Sequence, residues 1–247
     1  MRRMLLHVLQ ESYKGVKSTR APRHQNIDPS RPIPESMVLE AWNANMDLVK
    51  EKFKRSLDSK HVYYLDRKES TWNDVKSAIS TLSWMFSSLK ALHVGDIVMD
   101  TFSKDDTLSS LLVGFGQIWS SDRKSTECFG ALIYLLKSMM KDIQNGYVLL
   151  PRQSRLAFIT TWLPAMQAIY PSQASKFMSN DLSSDFKALI NTLPLFDREK
   201  FFKDYMKSPD GVDEFFSLNS SFATWCNSLR ESIIIGQAQD LLLVDSS

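Results

Sequence analysis

The sequence predicts an all-α protein, a multi-helix bundle or helical stack with no substantial β-sheet. Apolar residues recur at spacings of three and four through most of the chain from Glu35 to Leu229, the pattern of helices that each bury one face. Glycine and proline number only eight and nine in 247 residues, too few for a turn-rich sandwich or barrel. With 43% hydrophobic and 23% charged residues, the chain has a globular composition and the length to bury a sizeable core.

Taken in order, residues 2–12 suit a short helix with Met4, Leu5, Val8 and Leu9 on one face. The stretch to residue 34 is basic and rich in proline (Pro22, Pro29, Pro32, Pro34), which cannot sustain a helix and reads as a linker. From Glu35, Val38, Trp42, Met46, Val49, Phe53 and Leu57 form one apolar stripe. A mostly polar connection over 58–70 leads to a helix opening at Thr71, with Asp74 placed for a variant capping box. That helix buries Val75, Ile79, Leu82, Phe86 and Leu89.

Gly95 reads as part of the connection to a short segment from Ile97 to Phe102, and Asp105 or Asp106 as the cap of a helix carrying Leu108, Leu111, Leu112 and Phe115. From Thr126 to Ile143 the apolar arc is wide enough for a central helix covered on both flanks, and Asn145-Gly146 ends it. Pro151 suits the start of the next helix, where Leu156, Ile159, Leu163 and Met166 share a face beside Phe158 and Trp162. Pro164 is expected to kink or restart it. Leu182, Phe186, Leu189, Ile190 and Leu193 mark another helix ended by Pro194, and Asp197 is placed to cap a successor with Phe201, Phe202, Tyr205 and Met206. A last helix holds Leu218, Phe222, Trp225 and Leu229. The organisation expected is therefore a short helix and linker over 1–34, one helical interaction domain over 35–230, and a flexible tail over 231–247.

The net charge of +2 points to no polyanionic partner, and the basic run from Lys14 to Arg31 reads as a solvated linker. Cys128 and Cys226 lie far apart in apolar helical contexts, the usage of buried, reduced thiols rather than of a disulfide framework. No convincing signal peptide opens the chain, and no run approaches the roughly eighteen apolar residues needed to span a bilayer. A cytoplasmic or nuclear location away from membranes is expected.

Catalytic patterns fail one by one. The histidines His7, His24, His61 and His93 are scattered, and neither cysteine has a partner at a zinc spacing. Walker, Gly-x-Ser-x-Gly and His-Glu-x-x-His motifs are absent, and Gly114-Phe115-Gly116 follows no strand, so it reads as helix packing. No catalytic residue, cofactor or metal site is expected. Met139 and Met140 read as core filler. Arg152 with Arg155 is a candidate contact for an acidic partner, although a solvated helix face is its default. Trp42, Trp72 and Trp119 are candidate contact residues that core packing explains equally well.

The strings LLPRQSRLAFITTWLPAM, LINTLPLFDREKFFKDYM and SSFATWCNSL carry a resemblance. They are similar to the post-BTB, BACK-like helical region of a plant group of BTB/POZ-domain proteins. The matching positions are Pro151, Arg155, Trp162, Leu163 and Pro164, then Thr192, Leu193, Pro194 and Leu195, then Phe222 and Trp225. AWNANMDLVKEKF and AISTLSWMF upstream are similar but less distinctive. The likeness spans most of 35–230, and its specific part lies within 148–226. It implies a non-catalytic, substrate-recruiting or arm region of an adaptor for a cullin-3 ubiquitin ligase, with a client protein as partner. No strand-rich stretch precedes Glu35, so a fragment, a truncated product or a paralogue without the BTB module is expected, and cullin-3 binding only where a BTB domain is supplied. The alternatives are a regulatory nucleic-acid-associated helical protein and an enzyme of unrecognised helical type.

Overall fold

A computed structural model describes residues 34–58, 65–116, 123–169 and 176–207, together with Ala223, Cys226 and Asn227. Eight helices fill those segments: α1 (Glu35–Asp58), α2 (Leu65–Ala91), α3 (Gly95–Ser103), α4 (Asp106–Gly116), α5 (Arg123–Gln144), α6 (Arg152–Ile169), α7 (Lys176–Asn191) and α8 (Leu195–Lys207). Among the described residues there is no strand, so the fold is all-α. None of the described helices is long and apolar enough to cross a membrane.

The helices pack as a ring. α1 lies on α2, α2 on α5, α5 on α7, α7 on α6, α6 on α4, and α4 closes back on α1. The short α3 sits inside, touching α1, α2 and α6. Its composition suits that place: Gly95, Val98, Met99, Phe102 and Ser103 are all buried. α5 is flanked by α2 and α7, as its wide apolar arc implies, and Met139 and Met140 are fully buried in the core. The element enclosed on several sides is nevertheless α3, which is too short to show a periodicity in sequence.

Two aromatic clusters hold the ring. At one end Phe53, Trp72 and Phe129 join α1, α2 and α5, with centroids 6.2–6.4 Å apart. In the middle Phe102 stacks flat on Trp162, with centroids 4.4 Å apart and planes 7° from parallel, and meets Trp42 edge-on at 6.2 Å. Trp162 also donates its Nε1–H to the Phe102 carbonyl at 3.1 Å. That carbonyl lies in the last turn of α3 and also accepts the Asp105 N–H at 3.3 Å. Trp42 is equally buried, yet its Nε1–H finds no partner. Both Trp42 and Trp72 are therefore core residues rather than contact residues; the Trp119 side chain lies outside the described residues.

The ends of the helices follow from local chemistry. Asp105 Oδ1 accepts the Leu108 N–H at 3.0 Å and so caps α4, while Lys50 of α1 pairs with the same carboxylate at 2.6 Å. Gly146 ends α5 at φ 72°, with the Gly146 N–H on the Ile143 carbonyl and the Tyr147 N–H on the Asp142 carbonyl, a Schellman closure. α2 ends in the same way, but its left-handed position is His93 at φ 60°. The His93 N–H reaches the Lys90 carbonyl at 2.9 Å, and the Val94 N–H reaches the Leu89 carbonyl at 3.1 Å.

Several sequence expectations shift. α2 begins at Leu65, so Thr71 and Asp74 lie within the helix and form no capping box; Leu, Arg, Lys and Glu over 65–69 are all good helix formers. Gly95 is the first residue of α3, where an added Cβ would meet the Lys90 Cα at 3.3 Å. Pro164 neither restarts nor ends α6, which runs on to Ile169. The core face of α6 is carried by Phe158, Ile159, Trp162, Leu163, Ala165 and Met166, with Leu156 only partly buried. Burial pushes the Cys128 thiol up to about 12, in keeping with an inert structural cysteine, whereas Cys226 is only half-buried.

Trp162→Phe is expected to cost about 1–3 kcal/mol more than Trp42→Phe, because only the former removes a buried hydrogen bond and only the latter removes an unsatisfied donor; urea denaturation of the two variants measures the difference. His93→Gly is expected to stabilise by a few tenths to about 1 kcal/mol, since relief of roughly 1–2 kcal/mol of left-handed strain exceeds the added unfolded-state freedom. A rise in the thermal midpoint checks this.

Candidate functional site

The two proline-started helices α6 and α8 come together as the walls of a groove. Each begins directly after a proline: the Arg155 N–H bonds the Pro151 carbonyl at 3.0 Å, and the Arg198 N–H bonds the Pro194 carbonyl at 3.1 Å. Proline supplies the right φ at a helix start and loses nothing there for want of an N–H. Between the helices lies an open cleft of about 630 Å³, with Leu156, Ile159, Leu163, Pro164 and Phe201 among its apolar lining. That volume is in the range of small-molecule and peptide sites.

Polar links cross the cleft at both ends. Arg152, the first residue of α6, forms a two-pronged ion pair with Asp197 in the first turn of α8, Nε to Oδ2 and Nη2 to Oδ1. Asp197 is buried, so the fork supplies the partners that a desolvated carboxylate requires. At the far end Gln167 Nε2 donates to the Tyr205 hydroxyl at 3.0 Å, and both residues are buried. α6 and α8 therefore run in the same direction, with their N-termini paired.

Asp197 was placed by sequence as the cap of α8. The structure corrects this: α8 starts at Leu195, Asp197 lies within its first turn, and its side chain is taken by Arg152. Hydrogen bonding to the Arg152 guanidinium holds the Asp197 carboxyl below the usual carboxylate range, with a smaller contribution from Lys200. A second anchor steadies the same end of α6: Ser154 donates to Asp100 of α3, and Lys104 pairs with that carboxylate at 2.8 Å. Lys104 first, then Ser154, lowers the Asp100 carboxyl.

Of the motif positions, Leu163 and Pro164 line the cleft. Trp162, Leu163 and Leu193 are buried. Thr192 is half-buried, with its hydroxyl on the Leu189 carbonyl at 2.7 Å. Pro151, Pro164 and Pro194 are exposed, and Leu195 is 51% exposed. Arg155 is half-buried and its Nε has no partner. Phe222 and Trp225 lie outside the described residues. Four of the six large apolar side chains exposed among the described residues, Tyr147, Leu149, Leu195 and Phe196, lie within five residues of Arg152 or Asp197 along the chain. Sequence reasoning missed Gln167 and Lys200 and read Asp197 and Tyr205 only as a cap and a stripe residue, because nothing in a helical pattern announces which faces of two separate helices will meet. No group of three or more His, Cys, Asp or Glu side chains comes together among the described residues.

Comparison with protein-family models, with curated proteins and with solved structures gave no match.

Because the folded pKa of Asp197 is depressed, its pairing stabilises the protein above the unfolded carboxylate pKa of about 3.9, and that contribution fades as pH falls through the lower folded value. Arg152→Leu is thus expected to destabilise most near neutral pH, and the gap from the unsubstituted protein should narrow below about pH 4. Urea midpoints of both proteins across pH 3–7 check the sign.

Proposed function

We propose that this chain is a non-catalytic protein-interaction module, the substrate-recruiting or arm region of a BTB/POZ adaptor in cullin-3 ubiquitination, and that the α6–α8 groove is its client site. One observation carries the reading. Two residues on which the family resemblance rests, Leu163 and Pro164, line this groove; Trp162 beside them is buried in the core, and Pro151 and Pro194 immediately precede the two helices that form its walls. A cleft with an apolar lining, at two helices whose starts lie within three residues along the chain of exposed Leu149, Leu195 and Phe196, suits an amphipathic segment laid between the helices. The chemistry of the lining is that of recognition, apolar contacts with a few fixed polar groups at the ends.

The test compares affinity purification from plant cells of the chain alone, of the chain fused behind a BTB domain, and of that fusion carrying Thr160→Arg. Thr160 is exposed on the groove, so an arginine there fills the cleft without touching the core. Cullin-3 is expected with the fusion only, together with a client set that Thr160→Arg removes. Equal cullin recovery by the chain alone, or an unchanged client set in the Thr160→Arg fusion, would refute the respective half of the proposal.

A further inference from the structure

We propose that Asn145 is a site of spontaneous covalent modification, where deamidation through a cyclic imide turns the end of α5 into aspartate or isoaspartate and loosens the connection into α6. The reaction needs water and no enzyme.

Asn145-Gly146 is the only Asn-Gly step in the sequence. Both residues are exposed, and the space at Gly146 is open, since an added Cβ would meet nothing within 4 Å. The pair matters because the nucleophile is the backbone nitrogen of the following residue, and glycine presents it with no side chain in the way. The attack is intramolecular, so Asn145 carries its own reaction partner at high effective concentration. The Gly146 nitrogen bonds to Cγ of Asn145 and gives its proton to solvent. The side-chain nitrogen takes a proton from water and leaves as ammonia. Water then opens the imide ring at one carbonyl to give aspartate, or at the other to give isoaspartate, whose main chain runs through the former side chain.

The fold offers one restraint. The Gly146 N–H is held on the Ile143 carbonyl at 3.2 Å, in the turn that closes α5. Terminal turns open at little cost, so this nitrogen is released far more often than one in mid-helix. Asn43, Asn45 and Asn73 lie inside α1 and α2 and lack that freedom. Asn191 supplies the sharper comparison. It too is exposed at a helix end, and the N–H that follows it lies on the Leu189 carbonyl at 3.0 Å. That N–H belongs to Thr192, whose branched Cβ crowds the nitrogen.

The product strikes a junction. The Tyr147 and Val148 N–H groups both donate to the Asp142 carbonyl, at 2.9 and 3.2 Å. Lys90 bonds the Asp142 carboxylate at 3.0 Å and stands 5.8 Å over the Tyr147 ring. Isoaspartate adds a methylene to the main chain just before these contacts and puts them out of register. Either product also sets a carboxylate at the negative end of the α5 dipole. The chain released leads directly to Pro151 and Arg152, where α6 begins.

The experiment incubates the full chain, folded and in urea, at neutral and at mildly alkaline pH. Peptide maps are read by mass spectrometry, and isoaspartate is detected by enzymatic methylation. Asn145 is expected to convert in the folded chain, within about tenfold of its rate in urea because a frayed terminal turn opens easily. Conversion rises with pH, and Asn191 stays intact. Thr192→Gly is expected to make Asn191 convert as well, and Asn145→Gln to abolish conversion at 145. The aged protein melts below Asn145→Gln protein aged beside it. An Asn145 that converts in urea but stays intact in the folded chain would overturn the proposal, since the helix closure would then be a shield. Equal conversion at Asn191 would overturn the part given to glycine, and conversion with an unchanged thermal midpoint would overturn the loosening.

Discussion

The contact on which the rest of this structure depends is the flat stack of Phe102 on Trp162, tied by the hydrogen bond from Trp162 to the carbonyl of Phe102. α3 has only nine residues, too short to be a stable helix unaided. It persists because six longer helices form a ring and Phe102 reaches two of them, α1 through Trp42 and α6 through Phe158 and Trp162. The dependence is mutual. Without α3 the ring would enclose a void, and close packing makes such a void costly. The tryptophan adds direction: its N–H reaches the Phe102 carbonyl, which also accepts the Asp105 N–H, and this sets the rotation of α6 about its own axis.

That rotation decides what α6 shows to solvent. With Phe158, Trp162 and Met166 turned inward, the remaining face carries Arg152, Gln153, Leu156, Thr160 and Pro164. Pro164 is tolerated in mid-helix for the same reason. It removes the hydrogen bond to the Thr160 carbonyl, but both residues are exposed, so the freed carbonyl lies on the side that water reaches. A proline on the Trp162 face would leave that acceptor buried and unpaired. The Trp-Leu-Pro string thus encodes an inside, a boundary and an outside in successive residues.

Much of this was legible in the sequence, and the part that was not has a common cause. The buried stripes of α1, α2 and α7 could be read residue by residue, since a periodicity of 3.6 is a property of one segment. The stop at Asn145-Gly146 and the cap at Asp105 were legible because each is local backbone chemistry. Three things escaped. The start of α2 at Leu65 escaped because a polar stretch of good helix formers has no stripe to reveal it. His93 escaped because a left-handed helix end is signalled by glycine or asparagine, and histidine is silent. The pairing of Arg152 with Asp197 escaped because it joins residues 45 apart, and each alone reads as an ordinary charge near a helix start.

This last pairing also explains why a groove exists at all. The hydrophobic effect has no direction and draws apolar surfaces together until they touch. Two helices with apolar facing sides would close on one another unless something held them apart. Here the holding is polar and sits at the ends: the Arg152–Asp197 fork at one, the Gln167–Tyr205 bond at the other. Hydrogen bonds have a required length and angle, so they set a separation that apolar contact cannot. Phe202 meanwhile anchors α8 in the core away from the cleft. The cleft between the two helices is then the space left by two fixed spans, floored by Ile159, Leu163 and Phe201, side chains that are already part of the buried core.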